Sequence, residues 1–338
     1  MNGIDYSIAA GDFVEAARIY REMGCVIVKD LVSPALVQRV QSRMIDALRA
    51  YAGWDGDILP GGLVSVGPDN YFDLARSIER IVSAGMADEE FERVLHGPVV
   101  NRLIRNLIGD EVFVHPQKVP RILPPGDCPW LRPAGIHQDF PELQGSERQI
   151  TVWFPLHDVD GTTGVLPVYP GMHRQGVLPL TLAENPSGWA ISEELLPRAY
   201  LASMRAGDAI VFNTFTPHGG SVNTSGNLRM SIECRFQPLG DQISESAFEL
   251  PGYSFGWDEI YRDWSTLGYY WEGRRPEVVP YDRRWEEWRE RESIRMGRLA
   301  LPEAHQALRL TMQWSRDAGT RAEAREILAS GYGEGQPG

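Results

Sequence analysis

The sequence predicts a mainly β protein with flanking helices, built on a double-stranded β-helix core of the jelly-roll, or cupin-like, type. Between residues 111 and 238 the chain is a series of short runs rich in β-branched and aromatic residues, separated by Pro and Gly. Helical periodicity dominates before this stretch, and a Trp-rich, charged segment comes after it. Eight short strands at this density are typical of an antiparallel jelly roll.

The first 110 residues are expected to form a mostly helical support for this core. Apolar residues at 13, 16, 17 and 20 recur at helical spacing, and Gly24 ends that helix. A second helix begins at Ser33-Pro34, because Ser is a favourable N-cap and Pro suits the first helical turn. The region also contains a strand over residues 25–28, a loop over 59–70 and two helices within 74–108.

The core itself spans residues 111–238, where the hydrophobic pattern changes to a period of two. Its expected strands are 112–119, 135–140, 149–159, 164–169, 202–204, 209–213, 218–223 and 228–236. Residues 239–338 are expected to form a Trp-rich, largely helical extension, in which Trp285 and Trp288 mark the apolar face of an amphipathic helix. We expect this extension to pack on the outside of the barrel, with a lid over the site or a dimer interface as the alternatives.

Composition narrows the classes of function. The chain has 338 residues and a net charge of −13, which disfavours nucleic acid as a partner. Its three cysteines fit neither a disulfide framework nor a zinc motif, and we find no signal peptide and no apolar run of membrane-spanning length. Only Lys29 and Lys118 are lysine among the basic residues, a bias that favours a GC-rich bacterial genome. We therefore expect a cytoplasmic protein without a membrane partner, which binds a small molecule; a homodimer through the C-terminal extension is a further expectation.

His137, Asp139 and His218 are the candidate metal ligands. Two histidines and one carboxylate are the ligand set of a mononuclear non-haem iron site. Residues two apart on a strand point to the same face, so His137 and Asp139 can both face the barrel interior. His218 comes after a strong turn and strand signal, and the two glycines after it let the backbone come close to a metal.

Arg229 heads the last core strand and shares a face with Ser231. A guanidinium can hold a carboxylate in bidentate fashion, and a hydroxyl can add a third hydrogen bond. The pair is therefore a candidate anchor for a dicarboxylate co-substrate, and we assign Thr151 and Gln117 to the same pocket. On the expected strands, Gln117 shares a face with His115.

Five further residues are candidates for the substrate pocket. Gln149 and Trp153 share the strand face of Thr151 by parity, and Phe140 directly succeeds the metal motif. Glu233 and Arg235 continue the face of Arg229, where they could meet a charged substrate. Core packing is the alternative for the two aromatic residues, and a salt bridge at the strand end is the alternative for the charged pair.

These motifs give the chain a resemblance to a known family. From about Phe13 to Pro238 it resembles the phytanoyl-CoA dioxygenase family of Fe(II)/2-oxoglutarate oxygenases. The motifs that carry the resemblance are residues 24–28, His137-Gln138-Asp139, Thr151-Val152-Trp153, residues 164–173 and residues 218–229. The family often has Pro-Gly-Ser-His where this chain has Pro170-Gly171-Met172-His173, but the turn itself is kept. The resemblance implies that the two histidines and Asp139 bind Fe(II), that Arg229 and Ser231 bind the C5 carboxylate of 2-oxoglutarate, and that O2 is the oxidant.

Three hypotheses about function are consistent with these residues. The first is an Fe(II)/2-oxoglutarate-dependent dioxygenase that hydroxylates an unactivated C–H bond of a small molecule of bacterial secondary metabolism. The second uses the same cofactors for desaturation, epimerisation or cyclisation. The third is a non-catalytic jelly-roll protein that binds a metal or ligand, against which Arg229 argues, because a mere binder needs no co-substrate anchor. Asp139 argues against halogenation, since related halogenases have a small non-ligand at that position.

Overall fold

The computed structural model describes residues 7–9, 11–126, 128, 130–250 and 253–331. Residues 1–5, on which the expected absence of a signal peptide depends, lie outside them. The described residues form eleven α-helices: α1 Phe13–Met23, α2 Pro34–Ala52, α3 Tyr71–Arg76, α4 Ile78–Met86, α5 Glu89–Leu95, α6 Pro98–Ile108, α7 Phe140–Leu143, α8 Trp257–Ile260, α9 Arg284–Arg298, α10 Ala304–Trp314 and α11 Ala318–Gly331.

The same residues form fifteen short strands, most of them within the expected core. They are β1 Ser7–Ala9, β2 Cys25–Lys29, β3 Ile58–Leu59, β4 Leu63–Val64, β5 Val112–Val114, β6 Val119–Leu123, β7 Ile150–Pro155, β8 Pro167–Val168, β9 Leu180–Leu182, β10 Trp189–Ile191, β11 Tyr200–Leu201, β12 Ala209–Asn213, β13 Arg229–Pro238, β14 Ile243–Ser244 and β15 Val278–Val279. The mainly β core with helices on both sides in sequence is therefore confirmed.

A seven-stranded sheet is the structural base of the core. Its order is β1-β2-β12-β7-β13-β5, and β6 pairs with the first half of β13. All neighbours are antiparallel except β1 and β2. The N-terminal region thus adds two strands to this sheet besides its helices.

The two faces of β13 differ in chemistry, and this difference positions the site. Met230, Ile232, Cys234 and Phe236 belong to the main hydrophobic core, which they share with α1, α2 and α6. The alternate residues of the strand are buried and polar: Arg229, Ser231, Glu233 and Arg235. Side chains alternate between the faces of a strand, so these four project away from the helices, into the barrel.

The second layer of the jelly roll is made of very short pairings. β8 pairs with β11 over two residues, and His218 forms single bridges with both His137 and Val168. Glycine is required in this crowded layer, since a Cβ on Gly220 would lie 2.7 Å from the Cβ of Pro133. The regular strands expected over residues 135–140 and 218–223 are therefore wrong, although these segments do pair with each other.

Other boundaries also differ from the expected ones. The strand over 112–119 is divided into β5 and β6, because Pro116 has no N–H to donate to a ladder. Residues 71–108 form four helices rather than two: Asp88 caps α5 by accepting from the Phe91 N–H, and Pro98 begins α6. The expected loop over 59–70 contains part of the small β3–β4 hairpin. Both α1 and α2 agree with the prediction and end at the left-handed glycines Gly24 and Gly53.

The C-terminal helices of the extension contact the rest of the protein at two places outside the central sheet. Helices α9, α10 and α11 contact one another, and the Trp288 ring lies 5.3 Å from that of Trp189 in β10. Arg289 donates to the Glu142 carboxylate in α7, at 3.0 Å. No helix among the described residues combines the length and apolar character needed to cross a membrane.

Candidate metal centre and co-substrate cavity

His137, Asp139 and His218 converge inside the barrel, as the sequence predicted. Nε2 of His137 and Nε2 of His218 lie 3.9 and 3.8 Å from Oδ1 of Asp139. Each residue offers one ligand atom, and these atoms all lie within 4.8 Å of one another. The three side chains could therefore hold one metal ion.

The backbone sets the protonation of both imidazole rings. Nδ1 of His137 donates to the Gly135 carbonyl at 2.8 Å, and Nδ1 of His218 donates to the Thr216 carbonyl at 3.0 Å. In the neutral ring this leaves the Nε2 lone pair for a metal. Burial, and then the charge of His137, lower the pKa of His218 to about 4. The ring of His218 is consequently neutral at pH 7, as a metal ligand must be.

Asp139 is ionised although it is buried. Burial raises the pKa of this carboxyl, but His218, Arg235 and His137 together outweigh it and lower the pKa to about 2. The Thr151 hydroxyl donates to Oδ2 at 2.5 Å. The sequence assigned Thr151 to the co-substrate, whereas the structure directs its hydroxyl to Asp139.

A cavity of about 230 Å³ opens beside the two histidines. One wall is β6, which includes Arg121, and another contains Arg229 and Glu233 from β13. Arg229 is buried, and no described carboxylate lies within ion-pair distance of it. Burial, and then the charge of Arg121, lower its pKa to about 10, so it stays cationic at pH 7.

A family model matches more than half of the chain, and the matched part contains the site. The family model described as phytanoyl-CoA dioxygenase matches residues 20–231, which include all three candidate ligands and Arg229. The chain belongs to the phytanoyl-CoA dioxygenase family. It is therefore an iron- and 2-oxoglutarate-dependent oxygenase, which removes the non-catalytic alternative.

The chain has low sequence identity to individual relatives and to solved structures. The peroxisomal phytanoyl-CoA dioxygenase of Bos taurus is 24% identical over 239 residues, 66% of this chain and 68% of that protein. An uncharacterised protein of Mycobacterium tuberculosis is 26% identical over 152 residues, 44% of this chain and 52% of that protein. The α-ketoglutarate-dependent epimerase SnoN from nogalamycin biosynthesis has a TM-score of 0.49 at 18% identity, covering 72% of this chain and 91% of its own. A similarity at that level does not extend to reaction or substrate.

The cofactors of the family fit the donors that this oxygenase offers. The ligand set of two imidazoles and one carboxylate suits Fe(II). Arg229 Nη1 donates to the Ser231 hydroxyl at 3.2 Å, while Arg229 Nε and Trp153 Nε1 are buried without a hydrogen-bond partner. The Arg229 guanidinium lies 5.8 Å from the centre of the Trp153 ring. Buried donors without partners are rare and costly, and a carboxylate of 2-oxoglutarate would satisfy these.

The remaining predicted residues occupy different places. Glu233 lines the cavity, and Arg235 lies between it and Asp139, with N···O distances of 3.6 and 3.9 Å. Gln149 is buried with a side-chain amide that has no partner, and Phe140 packs on Phe215 with ring centres 4.6 Å apart. Of the five residues predicted for the substrate pocket, Glu233 lines this cavity, whereas Gln149, Phe140, Trp153 and Arg235 do not.

Gln117 is placed differently from its prediction. It lies in the break between β5 and β6, so the strand face that it was expected to share with His115 does not form. Gln117 is also absent from the cavity lining. Sequence reasoning missed Arg121 and Tyr253, both of which line the cavity. Pro116 could have indicated that a new strand, which contains Arg121, begins after it. Tyr253 lies in the C-terminal extension, where no sequence pattern marks it as a cavity residue.

Proposed function

We propose that this enzyme hydroxylates an unactivated C–H bond of a small molecule. In that reaction one oxygen atom of O2 enters the substrate as a hydroxyl group, the other enters succinate, and 2-oxoglutarate loses CO2. Iron with 2-oxoglutarate supplies the activation of O2 when bound. The observation that carries the proposal is the complete triad, with an ionised Asp139 at the position where halogenases have a small non-ligand.

In this proposal His137, Asp139 and His218 hold Fe(II) through Nε2, Oδ1 and Nε2. The carbonyls of Gly135 and Thr216 orient the two imidazoles, and Thr151 orients the carboxylate. Partners of this kind are as much a part of a metal site as the ligands, because they decide which atom faces the ion.

Arg229 and Ser231 hold the C5 carboxylate of 2-oxoglutarate in the same proposal. Arg229 has no described carboxylate partner, and its charge lies in a buried setting where a second charge is strongly felt. The free Nε1 of Trp153, a residue that the sequence assigned to the substrate pocket, makes it a further donor to the co-substrate. A co-substrate held by Arg229 would occupy part of the cavity and leave the rest of it to the substrate.

Desaturation, epimerisation and cyclisation use the same cofactors and remain the second candidates. They differ from hydroxylation only in the step that comes after the substrate has lost a hydrogen atom. The mass of the product separates them: hydroxylation adds one oxygen, desaturation and oxidative cyclisation remove two hydrogens, and epimerisation leaves the mass unchanged.

The biological setting is also part of the proposal. A cavity of about 230 Å³ suits a small molecule or one part of a larger one. The near absence of lysine among the basic residues supports a bacterial source. Together with the breadth of the family, it supports a role in secondary metabolism, in the cytoplasm.

We propose a homodimer through the extension, where Leu299 and Trp314 are exposed. A monomer in sedimentation velocity would contradict this proposal.

Succinate release tests the proposed reaction. The protein is supplied with Fe(II), 2-oxoglutarate and ascorbate, and compounds from neighbouring biosynthetic steps are tested as substrates. We expect release that depends on iron and is abolished in Asp139→Ala and strongly reduced in Arg229→Ala. Arg325→Ala, at an exposed position on α11, is the matched control and should behave as wild type. Normal turnover in both site variants would contradict the assignment.

A further inference from the structure

The charges around the metal site do not cancel. Besides Arg132, three guanidinium groups of the described residues surround the site, those of Arg121, Arg229 and Arg235. They face two carboxylates, those of Asp139 and Glu233. The charge of Fe(II) equals and opposes that of dianionic 2-oxoglutarate, so the loaded site keeps one positive charge in excess. Arg132 also lines the cavity and is engaged in an interaction of its own.

Of these three arginines, Arg121 is the one that can bind a further anion. Arg229 has the co-substrate as its partner, and Arg235 is enclosed between Asp139 and Glu233 with 7% of its side chain accessible. Arg121 donates to Glu233 through Nε at 2.7 Å and through Nη2 at 3.4 Å. Even so, 40% of its side chain is accessible, compared with 6% for Glu233. Arg121 also lines the cavity, so it is the one of these three cations that a substrate there could contact beside the co-substrate.

The ion pair with Glu233 also explains how the guanidinium keeps its orientation. Glu233 holds the edge of Arg121 formed by Nε and Nη2, so that Nη1 is the nitrogen without a hydrogen bond to the described residues. An arginine fixed in this way loses little side-chain entropy when it binds an anion. The same wall of the cavity is otherwise apolar, with Ile78, Val82 and Leu123.

We propose that the substrate is a carboxylate, and that Arg121 binds its charged group while the apolar wall holds the rest of the molecule. This inference rests on the proposed function for the place of 2-oxoglutarate, and it names the substrate class for the same site. Arg121 is then a specificity-determining residue, and Glu233 is a positioning residue that acts through it.

Binding of matched acids and amides tests this proposal. The protein is loaded with Zn(II) in place of iron and saturated with 2-oxoglutarate, so that no turnover occurs and the Arg229 anchor is occupied. Titration calorimetry then compares phenylacetate with phenylacetamide, hexanoate with hexanamide, and indole-3-acetate with indole-3-acetamide. We expect at least one acid to bind on the order of tenfold more tightly than its amide, as a charge-assisted hydrogen bond in a buried site allows.

The variants separate a charge effect from a structural one. Arg121→Gln combined with Glu233→Gln removes both charges with similar volume, and it should abolish the acid preference. Arg121→Lys should retain part of it, and Glu233→Gln alone should increase it, because the guanidinium then has no competing carboxylate. Thermal melting and the affinity for 2-oxoglutarate show that each variant is folded.

An absence of acid preference in all three pairs would overturn the proposal, and so would a preference that persists in the double variant. Because this measurement needs no oxygen and no iron, it is independent of the succinate assay. A protein that binds acids through Arg121 but releases no succinate would contradict the proposed reaction only.

Discussion

The Thr151 hydroxyl donates a 2.5 Å hydrogen bond to Oδ2 of Asp139, and the other carboxylate oxygen lies within 3.9 Å of both histidine Nε2 atoms. The two oxygens of Asp139 therefore have different partners. Thr151 lies in the fully buried strand β7, where a β-branched side chain has few rotamers. Through Thr151, the central sheet therefore orients the carboxylate of Asp139, which lies at the start of the short helix α7.

Thr151→Val should weaken metal binding without removing a ligand. Valine has nearly the shape of threonine but cannot donate, so the carboxylate loses the hydrogen bond that directs Oδ1 towards the ion. We expect about tenfold weaker binding of Co(II) or Zn(II), measured by titration calorimetry at pH 7. Thr151→Ser keeps the hydroxyl and is the matched control. Equal affinity in wild type and Thr151→Val would show that Asp139 is held by other contacts.

Arg229→Ala should affect the co-substrate and spare the metal. Loss of a charge-assisted carboxylate contact costs about 1.5–3 kcal/mol, which corresponds to roughly 10- to 150-fold weaker binding of 2-oxoglutarate. Zn(II) affinity should stay at the wild-type value, since the side-chain hydrogen bond of Arg229 goes to Ser231 and not to a candidate ligand. Trp153→Phe removes the indole N–H together with part of the ring, and it should weaken 2-oxoglutarate binding by a smaller factor, with thermal melting to show that the variant is folded. A variant that loses metal and co-substrate together would indicate a folding defect instead.

Part of this architecture is predictable from the sequence because it depends on local pattern. β2, β7 and β12 are runs rich in β-branched and aromatic residues, which are typical of buried central strands. The alternation along β13 also places Arg229, Ser231, Glu233 and Arg235 on one face, where the structure has them.

The local geometry of the metal motif is not predictable in this way. The sequence pattern favours one strand for His137 and Asp139, whereas Asp139 has helical dihedral angles and precedes α7. The two side chains meet because His137 is bridged to His218, a long-range contact that no local pattern encodes. Arg121 was missed for a related reason: the strand expected over 112–119 ends before it, and β6 pairs with β13 only after the break at Pro116.

Lys118 illustrates a stabilising role that the sequence did not reveal. It is buried and forms an ion pair with the buried Glu92 of α5, and it also donates to the carbonyls of His115 and Pro116 at 2.9 and 3.3 Å. Lys118→Met should lower the free energy of unfolding by about 3 kcal/mol, because the buried Glu92 carboxylate loses its lysine and keeps the His96 ring, at 3.0 Å, as a side-chain partner. Urea denaturation at pH 7 measures the change, and adding Glu92→Gln should recover part of it.

Lys29→Met is the matched control for that experiment. Lys29 also pairs with a buried carboxylate, that of Asp208, at 3.2 Å. Asp208 keeps hydrogen bonds from the backbone N–H groups of Asp30 and Arg205, and the Lys29 side chain is 30% accessible. The loss should therefore be about 1 kcal/mol or less. Equal losses for both lysines would contradict the distinction drawn from burial.

His115 should make the protein less stable as the pH falls. Burial, and then the charge of Arg235, lower the pKa of this imidazole to about 3, from an ordinary value of 6.5. Its Nε2 lies 2.9 Å from the side-chain oxygen of Gln237, which suits a neutral ring that donates. Below pH 6.5 the unfolded chain takes up a proton at this position that the folded protein refuses, so acid favours unfolding. In His115→Gln this contribution is absent. The free energy of unfolding of wild type minus that of the variant should therefore fall by up to about 1.4 kcal/mol per pH unit between pH 6 and pH 4. Urea denaturation across this pH range measures these free energies of unfolding. If wild type minus variant does not change with pH, His115 takes up its proton as readily in the folded protein as in the unfolded chain.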